Sequence, residues 1–483
     1  MNRLISLLKS DFTSGEVDPL LAARTDIKHY FSGAETLNNV IVLPQGGIKD
    51  RPGLSFVNDV STLDSGNDPD DGARFVSFEF DVDTTFLLLF LDQEIRFYKD
   101  GAQVHIITGL TQWPASTLAK LNWTQSNDTL IVFEPSTQPH TIVRVTDTNW
   151  TITLITFDGI PQFDYVPVDS TPAGKITPND VEGQITLSGV GTSFDATFVN
   201  QKIEGNGGLM RVVRVDSATS LIAIVEIPFF NTSQMLTGTW TLKSGFEDVW
   251  SDTRGWPAAG TFHDGRLWLG GGPRPSTLWG SRVGDFFNHT VGTGLDDEPI
   301  DVTMDTDQLN SITNLFSLRD LIIFTTGGEF YIPESPITPN NVSIRNATRR
   351  GSKEGLRVHE LDGAALFMQR GGKAVREFVL IQDGSSNYAA DNLSLLSSQL
   401  IKDPTDFAKR RASSTEENDL LVITNADGTA TICSIVRAQQ VIAWSSMDTP
   451  NGSLLRVGTD DNDIPYMLVI KDFWLFKLFA GMN

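Results

Sequence analysis

One pattern recurs along this chain and limits what it can fold into. An Asp or Asn turn runs straight into a short apolar strand seven times: DVDTTFLLLF (81–90), SNDTLIVF (126–133), HDGRLWLG (263–270), LRDLIIFT (318–325), LDGAALFM (361–368), ENDLLVIT (417–424) and DNDIPYMLVI (461–470). A strand that is apolar at consecutive positions must be buried on both faces. Asn, Asp and Gly supply the positive φ that tight hairpins require. Most copies continue into a second turn and strand, as in TTGGEFYI, QRGGKAVREFVL and NADGTATICSIV. Each unit therefore reads as an antiparallel meander whose inner strand is apolar on both faces. Units begin roughly 45 to 55 residues apart, the spacing of propeller blades. The expected fold class is all-β: a β-propeller-like array of about six or seven blades.

One interval is much wider, between the units at 126–133 and 263–270. Its excess is a β-rich block with GQITLSGV, DATFVNQKIEG, MRVVRVDS and SLIAIVEIPFF, which reads as a small inserted barrel or sandwich. The expected division is an N-terminal helix and hairpin segment at 1–57, first blades at 58–170, the inserted domain at 171–246 and the remaining blades at 247–483. Two unrelated β-domains in series are the alternative. Helix signals are sparse. Asp18-Pro19 reads as a cap and first position ahead of LLAARTDIKHYF, and a second helix is expected in DNLSLLSSQLI from Asp391. Ahead of the first unit, NNVIVLPQGGIKDRPGLSF (38–56) reads as a stiff charged hairpin, expected to close the ring or brace the N-terminal helix.

The net charge is −23, from 60 acidic and 37 basic residues. Such a surface repels nucleic acid and argues against a reader of DNA or RNA sequence. The one cysteine, Cys433, excludes an internal disulfide framework and a Cys-rich zinc site. MNRLISLLKSDF has too short an apolar run for a signal peptide. PYMLVIKDFWLFKLFAGMN is interrupted by Lys471, Asp472 and Lys477, so it reads as terminal strands and not as a membrane span.

The chemistry-bearing residues do not converge. Ser251-Asp252-Thr253-Arg254-Gly255-Trp256 approaches the sialidase Asp-box but has the wrong spacing. Asp68, Asp70 and Asp71, and then Asp296, Asp297, Glu298, Asp301, Asp305 and Asp307, form two acidic stretches, neither with calcium-loop spacing. The loops around them, 61–72 and 291–308, are candidate channel or tip elements. The six histidines are scattered. His263 is the most notable, with Asp264 and Arg266 in the same turn. There is no Gly-x-Ser-x-Gly elbow, and Gly270-Gly271-Gly272 precedes Pro273 instead of a helix. No catalytic residue, metal ligand or cofactor-binding residue is assigned, no cofactor is expected, and the reading is non-enzymatic.

The opening stretch FTSGEVDPLLAARTDIKHYFSGAETLNNVIVLPQGGIKDRPGLSFV resembles the start of the tail nozzle, or tail tubular protein B-like, family of short-tailed bacteriophages. The residues that carry the resemblance are Phe12, Gly15, Glu16 and Pro19, then Arg24, Asp26 and Tyr30, then Asn39, Gly46, Gly47, Arg51, Pro52 and Gly53. LNWTQSNDTLIVF, GWPAAGTFHDGRLWLGGG, PSTLWGSRVGDFFN, LIIFTTGGEFYI, ALFMQRGGKAVREF and AQQVIAWSSM look like later landmarks of the family in the same order. Asp50 departs from the pattern, since a basic residue often precedes the Arg-Pro-Gly turn.

What the resemblance implies is a virion structural protein of the short tail, made in the host bacterial cytoplasm. It would form a homohexameric ring below the portal-adaptor ring, with tail fibres as a further candidate partner. Genomic DNA would pass through its channel without sequence-specific binding. Phe12, Glu16, Arg24, Asp26, Tyr30, Asn39, Arg51 and Pro52 are the assembly residues it points to. The alternative from another class is a carbohydrate-binding or carbohydrate-degrading β-propeller at the host surface, fed by ten tryptophans.

Overall fold

The computed structural model describes residues 11–21, 24–60, 72–81, 83–292, 294–381, 387–412, 414, 417–439, 441–471 and 475–480. Among these, seven four-stranded antiparallel sheets follow one another as propeller blades. Six are built from continuous chain, with strands spanning 74–108, 122–154, 259–303, 312–348, 359–392 and 404–447. The seventh is composite. Gly452–Thr459, Pro465–Lys471 and Leu475–Ala480 are completed by Ser55–Asp59 from near the start of the chain.

Each of the seven sequence units supplies one blade's second strand, counted from the axis. The unit's apolar strand is therefore not the innermost one. The axial strands come just before it and carry more polar side chains, since they face the axis as well as the neighbouring blades. The turns between the two follow the expected chemistry: Asp264-Gly265 and Asp362-Gly363 both have positive φ, as does Asn127.

Alternation along the second strand explains how the ring holds together. In Thr84–Leu91, Phe86, Leu88 and Phe90 join the core shared with blade 2. Leu87, Leu89 and Leu91 of the same strand join the core shared with blade 7. Leu321–Thr325 divides likewise, Leu321 and Ile323 toward blade 3, Ile322 and Phe324 toward blade 5. In Asp419–Asn425, Leu421 and Ile423 face blade 5, and Leu420 and Val422 face blade 7. Ile131 and Phe133 with Leu267 and Leu269 make the seam between blades 2 and 3. Seven seams result, one between each pair of neighbours.

Between blades 2 and 3 the chain leaves the ring for a seven-stranded antiparallel sheet, running from Gln162–Ser170 to Trp240–Asp248. The sheet curls until its far strand, Lys175–Pro178, meets the segment leading into Trp240. Ile176 and Met235 exchange backbone bonds of 3.1 and 2.8 Å, and the Trp240 indole donates to the Gly174 carbonyl at 3.1 Å. Ile176, Leu187, Ile203, Met210, Leu221 and Trp240 fill its private core.

Both expected helices are corrected. Near the N-terminus, Pro19–Leu21 and Lys28–Tyr30 are single 3-10 turns. Asp18 does cap its turn, accepting from the Leu20 amide at 2.9 Å, but Gly15–Glu16 and Gly33–Ala34 on either side are drawn into a strand pair against blade 6. A helix this short has too few bonds to resist that. In the second case the chain stays extended through Tyr388–Asn392, and only Ser398–Leu400 forms a 3-10 turn. There the Ser394 hydroxyl and amide bond to the Asn392 side chain, a local alternative to helix. The one α-helix among the described residues is Ala115–Leu118.

The composite blade makes a specific test possible. A chain beginning at residue 52 keeps the closing strand, whereas one beginning at residue 60 loses it. The second is expected to show the larger drop in melting temperature and fast proteolysis within 452–480. Equal melting of the two would mean that the ring does not depend on that strand.

Candidate functional site

The residues singled out by the N-terminal pattern gather on one structure, a brace laid against the outer strand of blade 6, Val441–Met447. Gly15 makes the approach possible. Its φ is +67°, and a Cβ there would lie 2.2 Å from the Trp444 nitrogen, so no other residue fits. Phe12 donates its amide to the Gly46 carbonyl at 2.8 Å and packs on Leu37, Val42, Val441 and Ala443. Glu16 is buried. Its carboxylate accepts from the Leu37 amide at 2.8 Å and from Gln399 at 3.4 Å, while its carbonyl accepts from the Ser397 hydroxyl at 2.6 Å.

The opening hairpin pairs Val40–Val42 with Ile48–Asp50, and its continuation, Ser55–Asp59, is the strand that closes the ring. Asn39 organises its base from a left-handed conformation, φ +57°, which Asn tolerates better than most residues. The Asn39 amide donates to Ser446 at 2.8 Å, its side-chain nitrogen donates to the Asp448 carboxylate at 2.6 Å, and its side-chain oxygen accepts from Arg51 Nε at 2.8 Å. Arg51 completes the knot by donating to the carbonyls of Pro52 (3.0 Å) and Asp448 (3.2 Å). Burial pulls the Arg51 guanidinium below its ordinary value, and Asp448 opposes that shift. Both residues are used within the chain.

Arg24 and Asp26 differ. Their side chains form an exposed two-bond pair, both contacts 2.8 Å, and make no other side-chain hydrogen bond among the described residues. Tyr30 meets Phe31 edge-on at 5.4 Å and lines a small cleft with Leu21 and Leu396. Beside that cleft stand Leu20, Phe31 and Leu395, which are 88%, 58% and 66% exposed. The brace thus has an inner face of apolar packing and buried hydrogen bonds, and an apolar outer edge. Asp448, Ser446, Ser397 and Gln399, its partners on the ring, lie some 380 to 410 positions away, and no local motif marks them.

The other candidates are structural in geometry. His263 is buried, its Nδ1 2.8 Å from the Ser317 hydroxyl, and burial lowers its pKa. His289 is enclosed and His359 half-buried, and desolvation pushes both down to about 3, so neither carries charge near neutrality. Asp297 pairs with Arg282 at 2.7 Å, Glu298 accepts from the amide of Leu295, and Asp301 accepts from the Trp279 indole at 3.1 Å. Those acids support loop 291–308 and strand Ile300–Thr303. The acidic stretch with Asp68, Asp70 and Asp71 lies outside the described residues. Among the described residues, no group of three or more His, Cys, Asp or Glu is placed to hold a metal ion, and no helix is long and apolar enough to cross a membrane. Every described tryptophan is buried, none more than 8% exposed.

No protein-family profile matches the sequence, and no curated protein matches it. Among solved structures, BamB from Moraxella catarrhalis aligns with 11% identity and a TM-score of 0.39, over 89% of this chain and 98% of that one. The WD40 repeats of RRP9 align with 11% identity and a TM-score of 0.36, over 91% and 99%. The β-propeller domain of Myceliophteria thermophila Cps50 (Swd1) aligns with 8% identity and a TM-score of 0.34, over 89% and 100%. The assignment of this chain as a β-propeller rests on its sheet topology.

Two outcomes follow from the brace and the buried histidines. Glu16→Ala leaves the Leu37 amide without its acceptor and is expected to cost about 1–3 kcal/mol in chemical denaturation. Arg51→Ala is expected to fall in the same range, about 1–3 kcal/mol, whereas Arg24→Ala leaves the unfolding midpoint unchanged. A reversed order would misplace the brace. For the histidines, the folded state holds fewer protons than the unfolded one between pH 6.5 and about 3. Their contribution is therefore complete above pH 6.5 and lost as the pH falls. His289→Asn should show a shallower acid limb in a pH series of denaturation midpoints, and an unchanged limb would contradict the assignment.

Proposed function

We propose that this chain is a virion structural protein, the tail nozzle of a short-tailed bacteriophage. It assembles as a hexameric ring below the portal-adaptor and conducts and gates DNA ejection without catalysis. The observation that carries the reading is the N-terminal brace. A propeller needs an early strand to close its ring, and Ser55–Asp59 provides it. The preceding segment from Asp11 to Arg51 is additional to that need. Its inner residues anchor it rigidly to blade 6, while Leu20, Phe31, Leu395 and the Arg24–Asp26 pair stand on its outer side. An anchored element with an exposed apolar edge suits repeated heterologous contacts in a ring.

Two further features support a conduit assembled from several copies. At the propeller axis of one copy, buried side chains, Arg74, Phe407 and Val457 among them, leave only a cavity of ≈ 80 Å³, too small for a duplex to pass, so a DNA path would lie between copies. A net charge of −23, multiplied six-fold, would repel phosphates wherever acids line that path. The carbohydrate reading asks for exposed aromatic side chains beside paired carboxylates, and the described tryptophans are buried instead, in the seams or, for Trp240, in the core of the inserted sheet.

The test is the solution mass of the full-length protein, alone and with the adaptor ring. A six-fold species in either condition is expected. A persistent monomer that ignores the adaptor would reject the reading, and glycan release by that monomer would establish the alternative.

A further inference from the structure

Blades 1, 2, 5, 6 and 7 line a partly open cavity of ≈ 80 Å³ at the propeller axis. Two opposite charges lie in its wall, both almost fully buried. Arg74, 4% exposed, begins the axial strand of blade 1, and Asp406, 5% exposed, belongs to that of blade 6. Arg74 Nη1 donates to the Gly355 carbonyl at 2.6 Å but stands 3.6 Å from Asp406 Oδ1. A closed charge-assisted bond would be about 2.8 Å. Arg74 Nε, Asp406 Oδ2 and Thr459 Oγ1 are buried without any hydrogen-bond partner, and all three residues line this cavity.

Most of the neighbouring polar groups are already engaged. Arg357 lies over the Trp123 ring at 4.0 Å and donates to its carbonyl at 2.8 Å. Lys409 donates to the Glu360 carbonyl at 2.6 Å, and Arg411 pairs with Asp463 at 3.0 Å. Asp460 accepts from the Ile464 amide at 2.9 Å. The lining atoms buried without a hydrogen-bond partner are thus one cationic donor, one anionic acceptor and one hydroxyl, and beside them stands the Asp461 carboxyl, pushed up to about 6 by burial and by the nearby Glu79 and Asp460. Burial holds the Arg74 guanidinium below its ordinary value and the Asp406 carboxyl above its own, so each favours a nearby opposite charge.

Single charges fit this set poorly. An oxyanion on Arg74 would face Asp406, and a cation on Asp406 would face Arg74. A molecule carrying both charges on a short skeleton answers both, and a buried polar group left without a partner calls for such an answer. We propose that the axial cavity is a binding site for a small zwitterion of the size and charge pattern of a free α-amino acid, its carboxylate on Arg74, its ammonium on Asp406, and Thr459 within reach of either. This site is separate from the brace and stands or falls independently of the nozzle reading.

The experiment is calorimetry and thermal shift on the full-length protein with glycine, L-alanine, acetate, methylammonium and L-tryptophan. Glycine and L-alanine are expected to bind and to raise the melting temperature. Acetate and methylammonium should bind on the order of tenfold more weakly or less, and L-tryptophan should be excluded by size. Thr459→Val is expected to fold and to weaken glycine. Asp406→Asn is expected to reverse the preference, so that acetate outcompetes glycine, an exchange that a purely structural role would not produce. If that variant does not fold, the Thr459→Val comparison decides. No binding of glycine or L-alanine at millimolar concentration, or equal binding of glycine and acetate, would overturn the proposal and leave the cavity to water.

Discussion

A four-stranded sheet whose second strand is apolar on both faces cannot stand alone in water. Burying a Leu or Phe side chain is worth about 1.5–3 kcal/mol, and each blade here carries such side chains toward both neighbours. Leu88 and Leu89, adjacent in sequence, belong to the cores of two different seams. No blade has a core of its own, so cooperativity runs around the ring. The inserted sheet is the contrast: it curls on itself and fills a private core, which lets it leave the ring between blades 2 and 3.

A closed ring needs a first and last blade that meet, and this chain joins them by exchange. The last blade takes its outer strand from residues 55–59, so its completion requires both ends of the sequence. The brace carries the same logic outward. Asn39, Arg51 and Asp448 tie the hairpin to the end of blade 6's outer strand, and Gly15 lets the first strand lie almost in contact with Trp444. The two surfaces of functional interest arise from this construction. One is the outer edge of the brace, the other the axial cavity where five blades bring their strand ends together.

Burial also sets the chemistry of the charged groups. Glu16 and Arg51 find partners and act as anchors, as do the caps and pairs along loop 291–308. Arg24 and Asp26, in the same short segment, pair only with each other in water. Residues of one sequence motif therefore divide into anchors and exposed groups, and only the exposed ones are available to a neighbouring molecule without unfolding the brace.

The repeat was legible in the sequence because it is local. A tight turn and a doubly apolar strand are short-range signals, and all seven occurrences became blade strands in chain order. The hairpin at 38–56 was legible for the same reason, through Gly46, Gly47 and Pro52. The helices were misread because capping and propensity at Asp18-Pro19 and in DNLSLLSSQLI are worth little against strand pairing with blade 6 and local Ser–Asn bonding. Only the tertiary structure decided which strand closes the ring, how the brace is held, and which charges remain unanswered. Arg74 and Asp406 are 332 positions apart in the chain, and the partners of Asn39 and Glu16 on the ring, Asp448 and Ser397, lie farther still. No spacing rule connects such residues, because closing the ring is what brings them together.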